Sequence, residues 1–114
     1  MKKNDFWLEK FKREALPLIY KEFVPETVLI FGSRVRGDAD NESDIDIIVV
    51  SEFFKDIEFI KRIPLLLKKL RFPKHIDALC YSKDEFARIK TGSAIVMDAL
   101  EHGEVAEIEH TTVK

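Results

Sequence analysis

Cysteine is almost missing from this chain: among its 114 residues there is one, Cys80. A single thiol excludes an internal disulfide framework and a cysteine-rich zinc site. Long apolar runs are missing too. Stretches such as Val28-Leu29-Ile30-Phe31 stop after four residues, whereas a membrane span needs about twenty. No basic, apolar, cleavable leader opens the sequence, so export and membrane insertion are not expected and the cytoplasm is the expected location. Neither charge sign dominates: nineteen Lys and Arg against twenty-one Asp and Glu leave a net charge of −2. That balance gives no molecule-wide footprint for nucleic acid and leaves only local patches open. Glutamine is absent and asparagine occurs twice, while Lys and Glu are plentiful, a composition that leans toward that of thermophilic proteins.

What is present is ordinary for a folded protein, with 46% hydrophobic and 35% charged residues. No repeat, low-complexity tract or linker divides the chain, so residues 1–114 are expected to form a single domain. Apolar side chains at Leu8, Phe11, Ala15, Leu18 and Ile19 have helical spacing over 5–22, with Asn4 or Asp5 as the cap and Pro17 as a bend. Thr27 to Phe31 reads as a strand, followed by a turn-rich stretch to Ser43, and Ile45 to Val50 reads as a buried strand. A second helical pattern covers 56–71 with a kink at Pro64, and Ile76 to Tyr81 is a third strand. Ser82 and Glu85 form a capping-box pair before another helix. Gly92 breaks that helix, a further one runs over 93–102, and Val105 to Ile108 reads as a last strand. The expected fold class is therefore α+β, a small mixed β-sheet flanked by helices.

Chemistry concentrates in Gly32-Ser33-Arg34-Val35-Arg36-Gly37 and Ser43-Asp44-Ile45-Asp46. Asp44 and Asp46 are two apart at a strand, so both point to one face while Ile45 and Ile47 point to the other. Adjacent carboxylates among apolar neighbours need a cation, and hard divalent ions take oxygen ligands; Mg²⁺ is the usual choice beside phosphates. The bland alternative is a solvated strand edge, which the surrounding Ile and Val disfavour. Gly32-Ser33 leaves the preceding strand where the Asp44/Asp46 face begins. There the glycine permits close approach of backbone to a ligand, and Ser33 offers an amide and a hydroxyl to an anion. Asp77, among Ile76, Ala78 and Leu79, is the third carboxylate. Three carboxylates on neighbouring strands suit a two-metal site for in-line displacement. An EF-hand fails on its glycine and glutamate positions, and a Walker loop fails for want of Gly-Lys-Ser/Thr.

Gly32-Ser33-x-x-Arg36-Gly37, then Ser43-Asp44-x-Asp46 entering an apolar strand, then a lone strand Asp77, resembles the polymerase-beta-like nucleotidyltransferase superfamily. Within that superfamily the chain is similar to the small minimal nucleotidyltransferases. The resemblance is strongest from Val28 to Tyr81; Val35 stands where Ala is common. It implies that Gly32 and Ser33 hold the phosphates of a nucleoside triphosphate. It further implies that Asp44 and Asp46 ligate two Mg²⁺ ions, with Mn²⁺ able to substitute, and that Asp77 ligates one ion and helps deprotonate the acceptor hydroxyl. Arg36 either balances triphosphate charge or pairs with the loop acids. The implied activity is transfer of a nucleoside monophosphate, AMP from ATP, to an acceptor hydroxyl. Minimal nucleotidyltransferases are often paired with helical HEPN-type toxins, which implies an antitoxin that modifies its partner. A binding subunit acting by contact alone, and transfer to a small molecule or RNA, are the alternatives; homo-oligomerisation stays open.

The remaining candidates read as structural. His75, His102 and His110 lack metal-ligand spacing, and Cys80 reads as packing. Arg34 is expected to face solvent, and Lys61, Arg62, Lys68, Lys69, Arg71 and Lys74 read as a solvated cationic face, with a partner-binding patch as the lesser alternative. Phe53, Phe54 and Phe59 either cover the core or rim a nucleotide pocket. Phe6 and Trp7 are expected to pack into the core, with an oligomer or partner contact as the alternative.

Overall fold

A computed structural model describes residues 5–40 and 42–107. The first helix, α1 (Phe6–Lys10), starts where the Asp5 carboxylate accepts the Leu8 N–H at 3.0 Å. Pro17 has no N–H to give, and the chain accommodates it by widening one turn upstream. Phe11–Ala15 is π-helical, with the Leu16 N–H donated to the Phe11 carbonyl, before α2 (Leu16–Phe23) resumes. The bend expected at Pro17 thus takes the form of a π-turn. Val24, at φ 43°, closes α2 by donating its N–H to Tyr20.

Strand β1 (Thr27–Phe31) leads through Gly32 into a single helical turn, α3 (Ser33–Arg36), and then a loop to β2 (Ile45–Val50). A 3₁₀ turn at Glu52–Phe54 precedes α4 (Phe59–Leu70), which continues through Pro64. Strand β3 (Ile76–Tyr81), α5 (Lys83–Ile89), α6 (Ala94–His102) and β4 (Glu104–Val105) complete the described chain. The capping box of Ser82 and Glu85 forms as expected. The last strand starts one residue earlier than the apolar pattern suggests and is two residues long; Ile108 lies outside the described residues.

The sheet order is β3-β2-β1-β4. β1 pairs antiparallel with β2 and β4, and β2 pairs parallel with β3. A parallel neighbour needs a crossover, and α4 supplies it. Alternation along the strands separates two cores. Val28, Ile30, Ile45, Ile47, Val49 and Cys80 face α2, α4 and the buried Phe11, Phe23 and Phe54. Leu29, Ile48, Val50 and Tyr81 face Val96 and Ala99 of α6 and the partly buried Phe86 and Ile89 of α5. Phe54 is therefore core; Phe53 stays half exposed with its ring edge-on to Phe23. Phe6 is largely exposed rather than packed in the core, while Trp7 packs against the core's edge.

Two arginines that read as solvent-facing are buried. Arg34 reaches Asp5 Oδ1 at 2.7 Å, the Asp40 carbonyl at 3.1 Å and the Ser43 carbonyl at 2.6 Å. One guanidinium thus ties the cap of α1 to two points of the loop before β2. Arg62 forms a two-pronged pair with Glu85, with Nη2 at 3.0 Å from Oε2, and donates to the carbonyls of Ile57 and Cys80. Its hydrogen bonds hold the Glu85 carboxyl well below the usual range, at about 2. Neither burial was visible in sequence, because the partners lie 29 and 23 residues away.

Removing Arg34 leaves Asp5 without its cation and takes a donor from two loop carbonyls, of which that of Asp40 keeps the Ser43 N–H at 3.2 Å. Arg34→Ala is expected to lower unfolding stability by about 2–4 kcal/mol. Arg34→Lys, which keeps the charge but not the fork, should fall between. Urea unfolding midpoints check this, and an unchanged midpoint for Arg34→Ala would show that the contacts contribute nothing net.

Candidate active site

The strand register assembles the acidic residues. Phe31 pairs with Asp46 across β1 and β2, and Asp46 pairs with Asp77 across β2 and β3. Asp44 lies two residues before Asp46, just ahead of β2, and Asp44 and Asp77 are both exposed while Asp46 is half-buried. All three belong to the face that carries Leu29, Ile48 and α6. The apolar cover of that face ends where the carboxylates begin.

Gly32 closes the site from the β1 side. It has φ 82° and ψ −157°, and a Cβ built on it would stand 2.3 Å from Asp46 Oδ2. Backbone and carboxylate are in contact where no side chain fits. Ser33 opens α3, and its amide and that of Arg34 precede the first helical hydrogen bonds, which Val35 and Arg36 donate to Gly32. Gly37, at φ 89°, ends the turn. Arg36 is exposed and pairs with Asp38 at 3.4 Å. A cleft of about 440 Å³ brings Phe31, Gly32, Ser33, Arg36 and Asp46 together with Ala94, Ile95 and Asp98 of α6.

Burial pushes the Asp46 carboxyl above its usual range, and the negative charges of Asp77 and Asp44 push it further. Arg36 and His75 partly offset them. Asp44 and Asp77 are thus each close enough to act on the Asp46 carboxyl. Among the described residues their side chains do not close into a ready-made ion cage. The donor set nevertheless fits a hard divalent cation: it is all oxygen, it is anionic, and its central member sits in a strained charge state that a cation would relieve.

The matching family is described as the nucleotidyltransferase domain, and its model aligns with residues 8–106. The chain belongs to that family. It is a transferase of the nucleotidyl-transfer class, with a mixed sheet flanked by helices as its scaffold. A Sulfolobus solfataricus protein whose description as a nucleotidyltransferase is itself provisional has a crystal structure similar to this chain. It is 24% identical, with a TM-score of 0.59, over 97% of this chain and 95% of its own. BolA1 from Arabidopsis thaliana is similar at the level of fold, with 20% identity and a TM-score of 0.52 over 72% of this chain and 98% of its own. No curated protein matches the chain.

Within this nucleotidyltransferase domain, two sets of residues at the site escaped the sequence reading. His75 read as structural, yet it lies two residues before Asp77 and its charge acts on Asp46. The period-2 rule applied back from Asp77 would have found it. Ala94, Ile95 and Asp98 reach the cleft only because α6 crosses the sheet face, and no local signal marks them. Cys80 is buried packing as expected, and burial raises its thiol to about 12. No helix among the described residues is long and apolar enough to cross a membrane.

Proposed function

We propose that this nucleotidyltransferase-domain protein transfers a nucleoside monophosphate, AMP from ATP, to a hydroxyl side chain of a partner protein. The observation that carries the reading is the contact of the Gly32 backbone with Asp46, with Asp77 next in register and Ser33 and Arg36 on the same cleft. In this reading Ser33 binds phosphate oxygens through its amide and hydroxyl, and Arg36 balances triphosphate charge when it leaves Asp38. Asp44, Asp46 and Asp77 would hold the Mg²⁺ pair, with Mn²⁺ able to replace it. When bound, such ions stabilise charge on the entering and leaving oxygens. Asp77, exposed and next to Asp46 in register, takes the acceptor's proton as its oxygen attacks the α-phosphorus. The new oxygen–phosphorus bond forms in line as the bond to pyrophosphate breaks.

The choice of AMP and of a HEPN-type toxin as the partner follows from the family resemblance. A tyrosine is the preferred acceptor, since a net charge of −2 gives little support to a nucleic-acid track. The test is incubation with α-labelled ATP, Mg²⁺ and the protein encoded beside this one. A hydroxyl side chain of that partner should become labelled, and Asp44→Ala should lose the label while retaining the complex. Neutralisation of the partner by Asp44→Ala without any label would favour contact alone. Label on RNA ends would replace the protein acceptor with RNA.

A further inference from the structure

β3 is one edge of the sheet over six residues, while the opposite edge strand, β4, has two. The Ile45 N–H bonds the His75 carbonyl and the Ser51 N–H bonds the Tyr81 carbonyl. Odd-numbered residues of β3 therefore turn their backbone groups toward β2, and Ile76, Ala78 and Cys80 turn theirs outward. Arg62 Nη1 takes the Cys80 carbonyl at 3.1 Å and so closes the upper part of this edge. Among the described residues the stretch left open is centred on Asp77, which is exposed and whose side chain stands on the face that carries Asp46. A strand laid along the open stretch would carry one side chain directly beside Asp77, at a cross-strand Cβ separation of about 4.5–5.5 Å.

A second observation says what kind of strand. The segment entering β3 lines a groove of about 170 Å³, to which Arg71, Lys74 and His75 contribute. Arg71 and His75 are exposed, and Arg71 forms no ion pair among the described residues. Among the described residues Phe72 is the one Phe, Tyr or Trp side chain lining the groove, and it is partly buried, in T-shaped contact with Trp7 and Phe11, so the groove lacks the row of exposed rings on which successive bases stack. Local positive charge without a stacking platform favours an acidic polypeptide over RNA.

We propose that the open edge of β3 receives an extended acidic segment of the partner, paired strand to strand. Its hydroxyl residue stands beside Asp77 and its acidic residues reach Arg71. The inference rests on the transfer reading for the role of Asp77, and the test separates the two. Isotope-labelled full chain, without nucleotide or metal, is titrated with a short capped peptide of Val and Thr around a central Tyr, followed by glutamates; a second peptide has lysines in their place. The amides of Ile76 and Ala78 should shift and gain protection from hydrogen exchange with the glutamate peptide, and the lysine peptide should bind about tenfold more weakly. Arg71→Glu should weaken the glutamate peptide several-fold, Arg71→Lys should restore it, and ATP affinity in Mg²⁺ should be the same in both. No change at Ile76 and Ala78, equal binding of the two peptides, or tighter binding of a short oligoribonucleotide at those amides would each overturn the proposal. Binding at the edge with no label transferred from ATP would uphold the docking site and count against the transfer reading.

Discussion

Asp46→Asn is expected to cut nucleotidyl transfer by on the order of a thousandfold or more, because it removes the central anionic donor of the site while keeping its shape. The same change should leave the ligand-free fold as stable as before, or more so. The sign follows from the charge state of Asp46. Burial and the neighbouring Asp77 and Asp44 raise its folded pKa above the unfolded value. An acid shifted in that direction favours folding most when protonated, and its cost to the fold grows as pH rises through the folded pKa. At neutral pH the asparagine relieves that cost. Turnover with labelled ATP and urea unfolding at neutral pH measure the two halves. A marked loss of ligand-free stability would mean that Asp46 is a structural partner of Arg36 or His75, and the catalytic assignment would fall.

Gly32→Ala should abolish nucleotide binding and also destabilise the fold. The added methyl would meet Asp46 Oδ2 at 2.3 Å, and the backbone sits at φ 82°, where an L side chain is strained. Relief requires either displacing the carboxylate or shifting the turn into α3, so the donor and the phosphate-facing amides move together. The backbone strain alone is worth about 1–3 kcal/mol. Thermal unfolding with and without ATP and Mg²⁺ reads both effects. The wild-type chain should gain several kcal/mol at a ligand concentration about a thousandfold above the dissociation constant, and Gly32→Ala should gain none. Gly37→Ala is the control: its φ is also positive, at 89°, but nothing lies within 4 Å of the added methyl. It should lose stability and keep nucleotide binding.

The element order and the strand limits of β1, β2 and β3 were legible because alternation and helical spacing are local properties. The placing of Gly32, Ser33, Asp44, Asp46 and Asp77 along one end of the sheet followed from the same alternation. What was not legible depends on partners distant in sequence. Arg34 and Arg62 look like any surface arginine until the fold brings Asp5 and Glu85 to them. The π-turn before Pro17 was legible only as a disturbance, since the sequence shows a missing N–H and not how the carbonyls rearrange. Which side of the cleft α6 closes depends on how a helix crosses the sheet, and the sequence of α6 carries no mark of it. Its exposed Ile95, Met97 and Leu100 would be unremarkable on any amphipathic helix.

The two faces of the sheet are unequally anchored. One is held by the fully buried rings of Phe11, Phe23 and Phe54; on the other, α6 contributes Val96 and Ala99 as its buried residues and α5 contributes none. Excursions that lift α6 away from β1 therefore sacrifice little apolar contact and leave the opposite core whole. Such sub-global opening lies well below the free energy of complete unfolding. The cleft wall that carries Ile95 and Asp98 is thus held by fewer buried side chains than the strands that carry Gly32, Asp46 and Asp77, which are packed from behind. A bound nucleotide that touched both would bring the loosely held wall under the stability of the rigid floor.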